Sequence, residues 1–163
     1  HQDSMGNEHI ISSGEVQIMS AGTGITHSEY NNSSSDDVNF LQIWVLPKKR
    51  DIAPRYDQKL FDKEGRTNKF QLLVSPEQSE DAVWINQDAW FSQADVQAGQ
   101  EIRYLKRDDT NGVYFFILEG KTVIDGNVVH RRDGLGLEKK GAHIITAKED
   151  TWLIAMEVPM TNS

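Results

Sequence analysis

His27 and Glu29 stand two residues apart, directly after the glycine-punctuated turn Ala21-Gly22-Thr23-Gly24. If the chain from Thr26 to Tyr30 is extended, the period of two sends both side chains to one face. An imidazole nitrogen beside a carboxylate oxygen is a donor mix suited to iron, manganese, nickel or zinc. Two donors make only half of a coordination shell. By spacing alone such a pair is more often a hydrogen-bonded polar couple on a strand.

The other chemistry-bearing types are scattered. His1 and His9 lie near the pair in sequence, but a terminal residue is usually mobile and His9 reads as solvated surface. His130 and His143 are isolated and read as satisfied barrel residues. Asp88 has the setting of a turn residue. Ser28 has no acid and base arrangement of a hydrolase. Gly134 and Gly136 do not follow a strand and open a helix, so they are not a nucleotide loop. Trp44, Trp84, Trp90 and Trp152 are spread over separate strands and read as core packing.

The elements that must position these residues are almost all β. Glu15-Val16-Gln17-Ile18-Met19 alternates, and Phe40 to Leu46 is a mostly apolar run ended by Pro47. Short strands are also expected at Ile10-Ile11 and Thr26 to Tyr30. Further strands follow over Phe70 to Val74, Val83 to Ile85, Ala89 to Val96, Glu101 to Leu105, Val113 to Leu118, Ala142 to Thr146 and Thr151 to Val158. A hairpin is clearest over Lys121 to His130, where Asp125-Gly126 can take positive φ. This spacing of strands and turns indicates a sandwich or barrel rather than a βαβ sheet. A first lobe over residues 1–57, a charged linker with a helical turn over 58–67 and a second lobe over 68–163 are expected. The first lobe has too few strands to close a small barrel.

Bulk properties narrow the function classes. A chain of 163 residues can bury a real core. A net charge of -8 argues against direct binding of a nucleic-acid backbone. The run Lys48-Lys49-Arg50 reads as a solvated loop. The absence of cysteine excludes disulfides, zinc-thiolate sites and thiol catalysis, and fits a reducing cytoplasm. No apolar run approaches a membrane span.

The segment His1-Gln2-Asp3-Ser4-Met5-Gly6-Asn7, followed by Gly14 to Glu29, strongly resembles the pirin family of bicupins. Leu41-Gln42-Ile43-Trp44-Val45-Leu46-Pro47 and Pro54-Arg55-Tyr56 match the segment closing the first cupin. Ile85-Asn86-Gln87-Asp88-Ala89 and Phe116-Ile117-Leu118-Glu119-Gly120 look like the second. The resemblance implies an all-β bicupin, two antiparallel jelly-roll lobes of which the first is incomplete here. It further implies one divalent metal in the first cupin, held by three histidines and a glutamate. Iron is the first expectation, with nickel, manganese or zinc as alternatives.

On that resemblance His27 and Glu29 are the third histidine and the glutamate, and Glu29 is also the expected catalytic base. The other two histidines belong to a His-x-His motif upstream, which the 26 residues before His27 do not contain. The chain is therefore expected to be N-terminally truncated, poor in metal and impaired. The second cupin is expected to be metal-free.

Two function classes follow from the resemblance. The first is a quercetin 2,3-dioxygenase acting on flavonol-like molecules. The second is a metal-tuned, redox-responsive module that contacts a regulatory protein. An opened lumen around Ile18, Ile25, Ile43 and Val45 is expected to favour a homodimer or strand-swapped assembly.

Overall fold

The structure is a computed structural model that describes residues 1–160. Fourteen strands and one 3-10 turn account for its regular structure. Two sheets build the C-terminal part. A six-stranded sheet joins β12 (Gly134–Leu137), β9 (Gly112–Glu119), β14 (Thr151–Val158), β7 (Trp90–Val96), β5 (Gln71–Ser75) and β6 (Val83–Trp84), in that order. A four-stranded sheet joins β11 (Asn127–His130), β10 (Lys121–Ile124), β13 (Ala142–Ala147) and β8 (Glu101–Leu105). All these pairings are antiparallel except β5 with β6. The sheets pack face to face, and none closes into a complete barrel.

Strand β14 shows how the sequence dictates this arrangement. Leu153 and Ala155 point into the core between the sheets, against Phe115, Ile117, Ile145 and Ile124. Ile154 and Met156 point the other way, against Leu73, Val83, Phe91 and Phe61. Both faces of the larger sheet are thus covered, so β14 is apolar almost throughout instead of alternating.

Its one charged residue, Glu157, is fully buried. That carboxylate accepts hydrogen bonds from Tyr104 Oη at 2.9 Å, Asn111 Nδ2 at 2.9 Å and the backbone N–H groups of Arg107 and Asp108. It pins the loop over residues 106–111 to the sheet. Burial, then the neighbouring Glu157, pushes the Tyr104 phenol well above its ordinary range.

The N-terminal part is thinner. Strands β1 (Gln2–Asp3) and β3 (His27–Ser28) form one two-stranded ribbon, and β2 (Glu15–Ser20) pairs with β4 (Arg55–Leu60) in another. Neither is a barrel. The β2–β4 ribbon has two distinct faces. Val16 and Ile18, with Val45 and Phe61, complete the second apolar cluster over the larger sheet. Ile18 and Val45 therefore rest on the C-terminal part, where an opened lumen was expected.

The expected strand over Phe40 to Leu46 does not form. Those residues have no ladder partner among the described residues, and Phe40, Trp44 and Leu46 are 64%, 90% and 76% exposed. Trp44 is thus not a core residue, unlike the partly covered Trp84, Trp90 and Trp152. Ile10 and Ile11 are likewise exposed and unpaired. The segment read as charged linker opens with the end of β4 and contains the 3-10 turn Lys63–Arg66.

The Lys121–His130 hairpin forms as its turn chemistry dictates, with Asp125 at φ 45° and Gly126 at φ 84°. Asp125 also braces the next strand. Its carboxylate accepts from the Ile144 N–H at 2.9 Å and meets His143 Nδ1 at 2.7 Å. His143 is fully buried and its ring meets Phe115 edge-on, but its Nε2 has no hydrogen-bond partner among the described residues, so it is not the satisfied residue expected. Partial burial raises the Asp125 carboxyl, but the bonds from Ile144 and His143 outweigh it and hold it below the ordinary 3.8. A carboxyl depressed in the folded state contributes stability above its unfolded pKa and loses it as pH falls through the folded one. Asp125→Asn is therefore expected to lower Tm at neutral pH and to flatten its fall below pH 3.8, measured by calorimetry across pH 2–7.

Candidate functional site

The site is built on the shortest ribbon in the molecule. In the β1–β3 pair, Gln2 lies opposite Ser28 and Asp3 opposite His27. Directly opposed residues share a face of an antiparallel ladder, and residues two apart on one strand do as well. Continuing the register puts His1 opposite Glu29. His1, Asp3, His27 and Glu29 therefore lie on one face of a ribbon only four strand residues in extent.

Contacts follow from that register. His1 Nδ1 lies 2.8 Å from Glu29 Oε1, and His1 Nε2 lies 3.1 Å from Asp3 Oδ2. An imidazole between two carboxylates offers a proton to each only as imidazolium. Gln17 Nε2, from the neighbouring ribbon, comes within 2.9 Å of His1 Nδ1 and 3.4 Å of Glu29 Oε1. The His27 ring faces the His1 ring at 5.8 Å between centroids, tilted by 27°. His27 and Glu29 thus share a face but meet through His1.

His1 departs from what its position suggests. Its side chain, like that of Asp3, is fully shielded, whereas the Glu29 side chain is 29% exposed. Tyr56 packs against the His1 ring at 4.8 Å and against the exposed His9 ring at 4.7 Å. Two carboxylate partners and an aromatic neighbour order a residue expected to be mobile.

Asp3 has its own support from the turn that follows it. Its carboxylate accepts from the N–H groups of Met5 and Asn7 and from Asn7 Nδ2 at 2.7 Å. Burial acts to raise the Asp3 carboxyl, but the Asn7 and Met5 bonds prevail and hold it below its ordinary value. The turn is tied to the opposite strand by the Ser4 N–H donating to the Thr26 carbonyl at 2.8 Å.

The polar face of β2–β4 closes the other side. Met19 pairs with Tyr56 and Gln17 with Gln58. Tyr56 donates to Gln58 Oε1 at 2.6 Å. Burial, then Glu29, Glu15 and Asp3, pushes its phenol up to about 12, so it stays protonated at neutral pH.

His27 and Glu29 are the two residues that the family resemblance implies as metal donors. Among the described residues, however, no three His, Asp or Glu side chains converge in a way that could hold a metal ion. One Glu29 oxygen is engaged by His1, which leaves Oε2 and the His27 ring as the free donors. These residues do not by themselves fit a complete metal site. A shallow depression of about 280 Å³ lies beside them, lined by Gln2, Asp3, Ser4, Thr26, His27 and Ser28.

Asp3, Gln17 and Tyr56 were not legible as site residues from sequence. One signal was present: His1-x-Asp3 repeats the spacing of His27-x-Glu29, and paired antiparallel the two doublets bring base opposite acid twice. His9 is exposed as expected, His130 is exposed too instead of being a satisfied barrel residue, and Asp88 pairs with Lys48 at 2.5 Å on the surface.

Comparison with known proteins agrees with this architecture. Residues 1–45 match the family model described as Pirin, and residues 72–158 match the one described as Quercetinase C-terminal cupin domain. The chain is 37% identical over 98% of its length to a quercetin 2,3-dioxygenase of Escherichia coli strain K12, of which it spans 67%. It is 36% identical over 96% of its length to a pirin-like protein of Caulobacter vibrioides, again spanning 67% of that protein. Among solved structures, YhhW from Escherichia coli superposes with a TM-score of 0.90 at 33% identity, covering 98% of this chain and 67% of that one. A nickel(II) complex of the bacterial pirin YhhW gives 0.89 at 31% identity with the same coverage. An all-β chain with these two lobes is a bicupin. It belongs to the pirin family.

Gly22 fixes the approach to His27. It sits at φ 56°, and a Cβ there would lie 2.1 Å from the Ile52 carbonyl oxygen and 2.8 Å from Pro54 N. The nearest atoms are all backbone of residues 52–54, which is not free to yield as a side chain would be. Gly22→Ala is expected to destabilise the protein by about 2 kcal/mol or more and to shift the amide resonances of residues 26–29. Denaturant unfolding and a proton–nitrogen correlation spectrum check both effects.

Proposed function

We propose that this chain carries the carboxylate side of a quercetin 2,3-dioxygenase-type active site, in a pirin-like oxidoreductase. The observation that carries the proposal is the shared face of His27 and Glu29, with Glu29 held at one oxygen and open at the other. In this reading Glu29 Oε2 accepts the hydroxyl proton of a flavonol and leaves an enolate ready for attack by O2. His27 donates a ring nitrogen to a divalent metal whose remaining ligands lie outside the described residues. A bound metal would polarise the enolate oxygens. Iron remains the first expectation, and nickel gains support from the nickel(II) complex of YhhW. The lack of cysteine supports a cytoplasmic setting.

The test is quercetin consumption by the full-length protein, followed as loss of flavonol absorbance with Fe2+ or Ni2+ added. Turnover is expected, with Glu29→Gln lowering kcat about a hundredfold or more. Absence of turnover with every divalent metal would overturn this reading in favour of a binding module.

One observation favours that second reading. Val38, Phe40, Trp44 and Leu46 expose an apolar arm with no ladder partner among the described residues. Such a surface suits protein contact, whether with a regulatory partner or with a second copy of this chain. A strand-swapped dimer is the assembly we propose. Light scattering at micromolar concentration is then expected to give twice 18.5 kDa, and a well-behaved monomer would refute it.

A further inference from the structure

We infer that His1 is a positioning residue for Glu29, with Asp3 as its anchor. The geometry forms a continuous chain. The turn over residues 3–7 holds the Asp3 carboxylate through Met5 and Asn7, Asp3 Oδ2 meets His1 Nε2, and His1 Nδ1 meets Glu29 Oε1. The His1 and Asp3 side chains are shielded from solvent, while Glu29 is partly open. A hydrogen bond from a shielded, doubly tethered ring restricts the rotamers of a long acidic side chain that would otherwise sample several. Tyr56, tilted by 33° against the ring at 4.8 Å, restricts it further.

The consequence for the site is specific. His1 engages Oε1, so Oε2 is the Glu29 oxygen left without a hydrogen-bond partner among the described residues. A carboxylate held this way acts through one oxygen, either as a proton acceptor or as a monodentate donor. Gln17, 3.4 Å from the same Oε1, reinforces the choice of oxygen.

This role rests on the proposal that Glu29 is the working carboxylate, yet it can be tested without metal or substrate. The measurement is carbon-13 relaxation of the Glu29 side chain in the metal-free protein, with exposed Glu149 as the mobile reference. In the unaltered chain Glu29 is expected to be markedly more ordered than Glu149. His1→Leu is expected to bring Glu29 down to the Glu149 level, and Asp3→Ser to move it part of the way. His1→Asn places an amide nitrogen near the position of Nδ1 and is expected to restore most of the order. Unchanged resonances from β7, β9 and β14 would confirm that each variant is folded. Glu29 already mobile in the unaltered chain, or equally ordered in His1→Leu, would overturn the inference.

A Ni2+ titration of the chain and of Glu29→Gln separates the two levels. Equal Ni2+ affinity in both would count against Glu29 as a metal donor, while the relaxation data would still decide the part played by His1.

Discussion

The register of two very short strands is the constraint on which the site depends. Asp3 opposite His27 is one rung of an antiparallel ladder, and the next rung brings His1 to Glu29. A slip of one residue would send these side chains to the opposite face, since the period of a strand is two. A ribbon this short has little intrinsic stability. Its register is therefore specified from outside the ladder. The Asp3-centred turn fixes one end, the bond from the Ser4 N–H to the Thr26 carbonyl ties the two strands, and the His1–Glu29 contact closes the other end.

That ribbon is in turn seated on a second one with two unlike faces. Val16 and Ile18 enter an apolar cluster with Phe91, Ile154 and Met156. Gln17, on the opposite face, reaches His1 and Glu29, and Tyr56 on the paired strand packs against His1. The same alternation that drives β2 onto the larger sheet presents its polar residues to the site. Core packing in the C-terminal part and side-chain placement in the N-terminal part are thus two results of one pattern. Strapping contacts between the segments over residues 46–49 and 86–88 add to this seating. Among them, Asn86 Nδ2 donates to the Lys49 carbonyl and Gln87 Nε2 to the Leu46 carbonyl.

Legibility from sequence followed the same division. Most strands of the C-terminal sheets could be read from β-branched and aromatic runs bounded by turn residues; the glycine-rich edge strand β12 was read as a turn instead. The Asp125-Gly126 hairpin was equally legible, since positive φ at both positions is a local demand that few residue types meet. Phe40 to Leu46 has the same composition and yet forms no strand. Composition describes what a segment can do, whereas a strand is a property of a pair, and among the described residues this segment has no mate.

The site was legible for a different reason, and less completely. His27 and Glu29 stand out because their types and spacing are local. Asp3, Gln17 and Tyr56 become neighbours only through pairing, and sequence separation hides them: Asp3 lies across the ladder from His27, and Tyr56 across the second ribbon from Met19. His1 is the instructive case. A terminal histidine read in isolation is a mobile surface group, and nothing within a few residues of it argues otherwise. The partners that order its ring are Asp3 two residues on, Glu29 across the ladder and Tyr56 from the neighbouring ribbon. Long-range pairing converts an unremarkable imidazole into the part that decides which oxygen of Glu29 is free. The Glu29 oxygen that is engaged is thus marked by a residue 28 positions away, through one 2.8 Å contact.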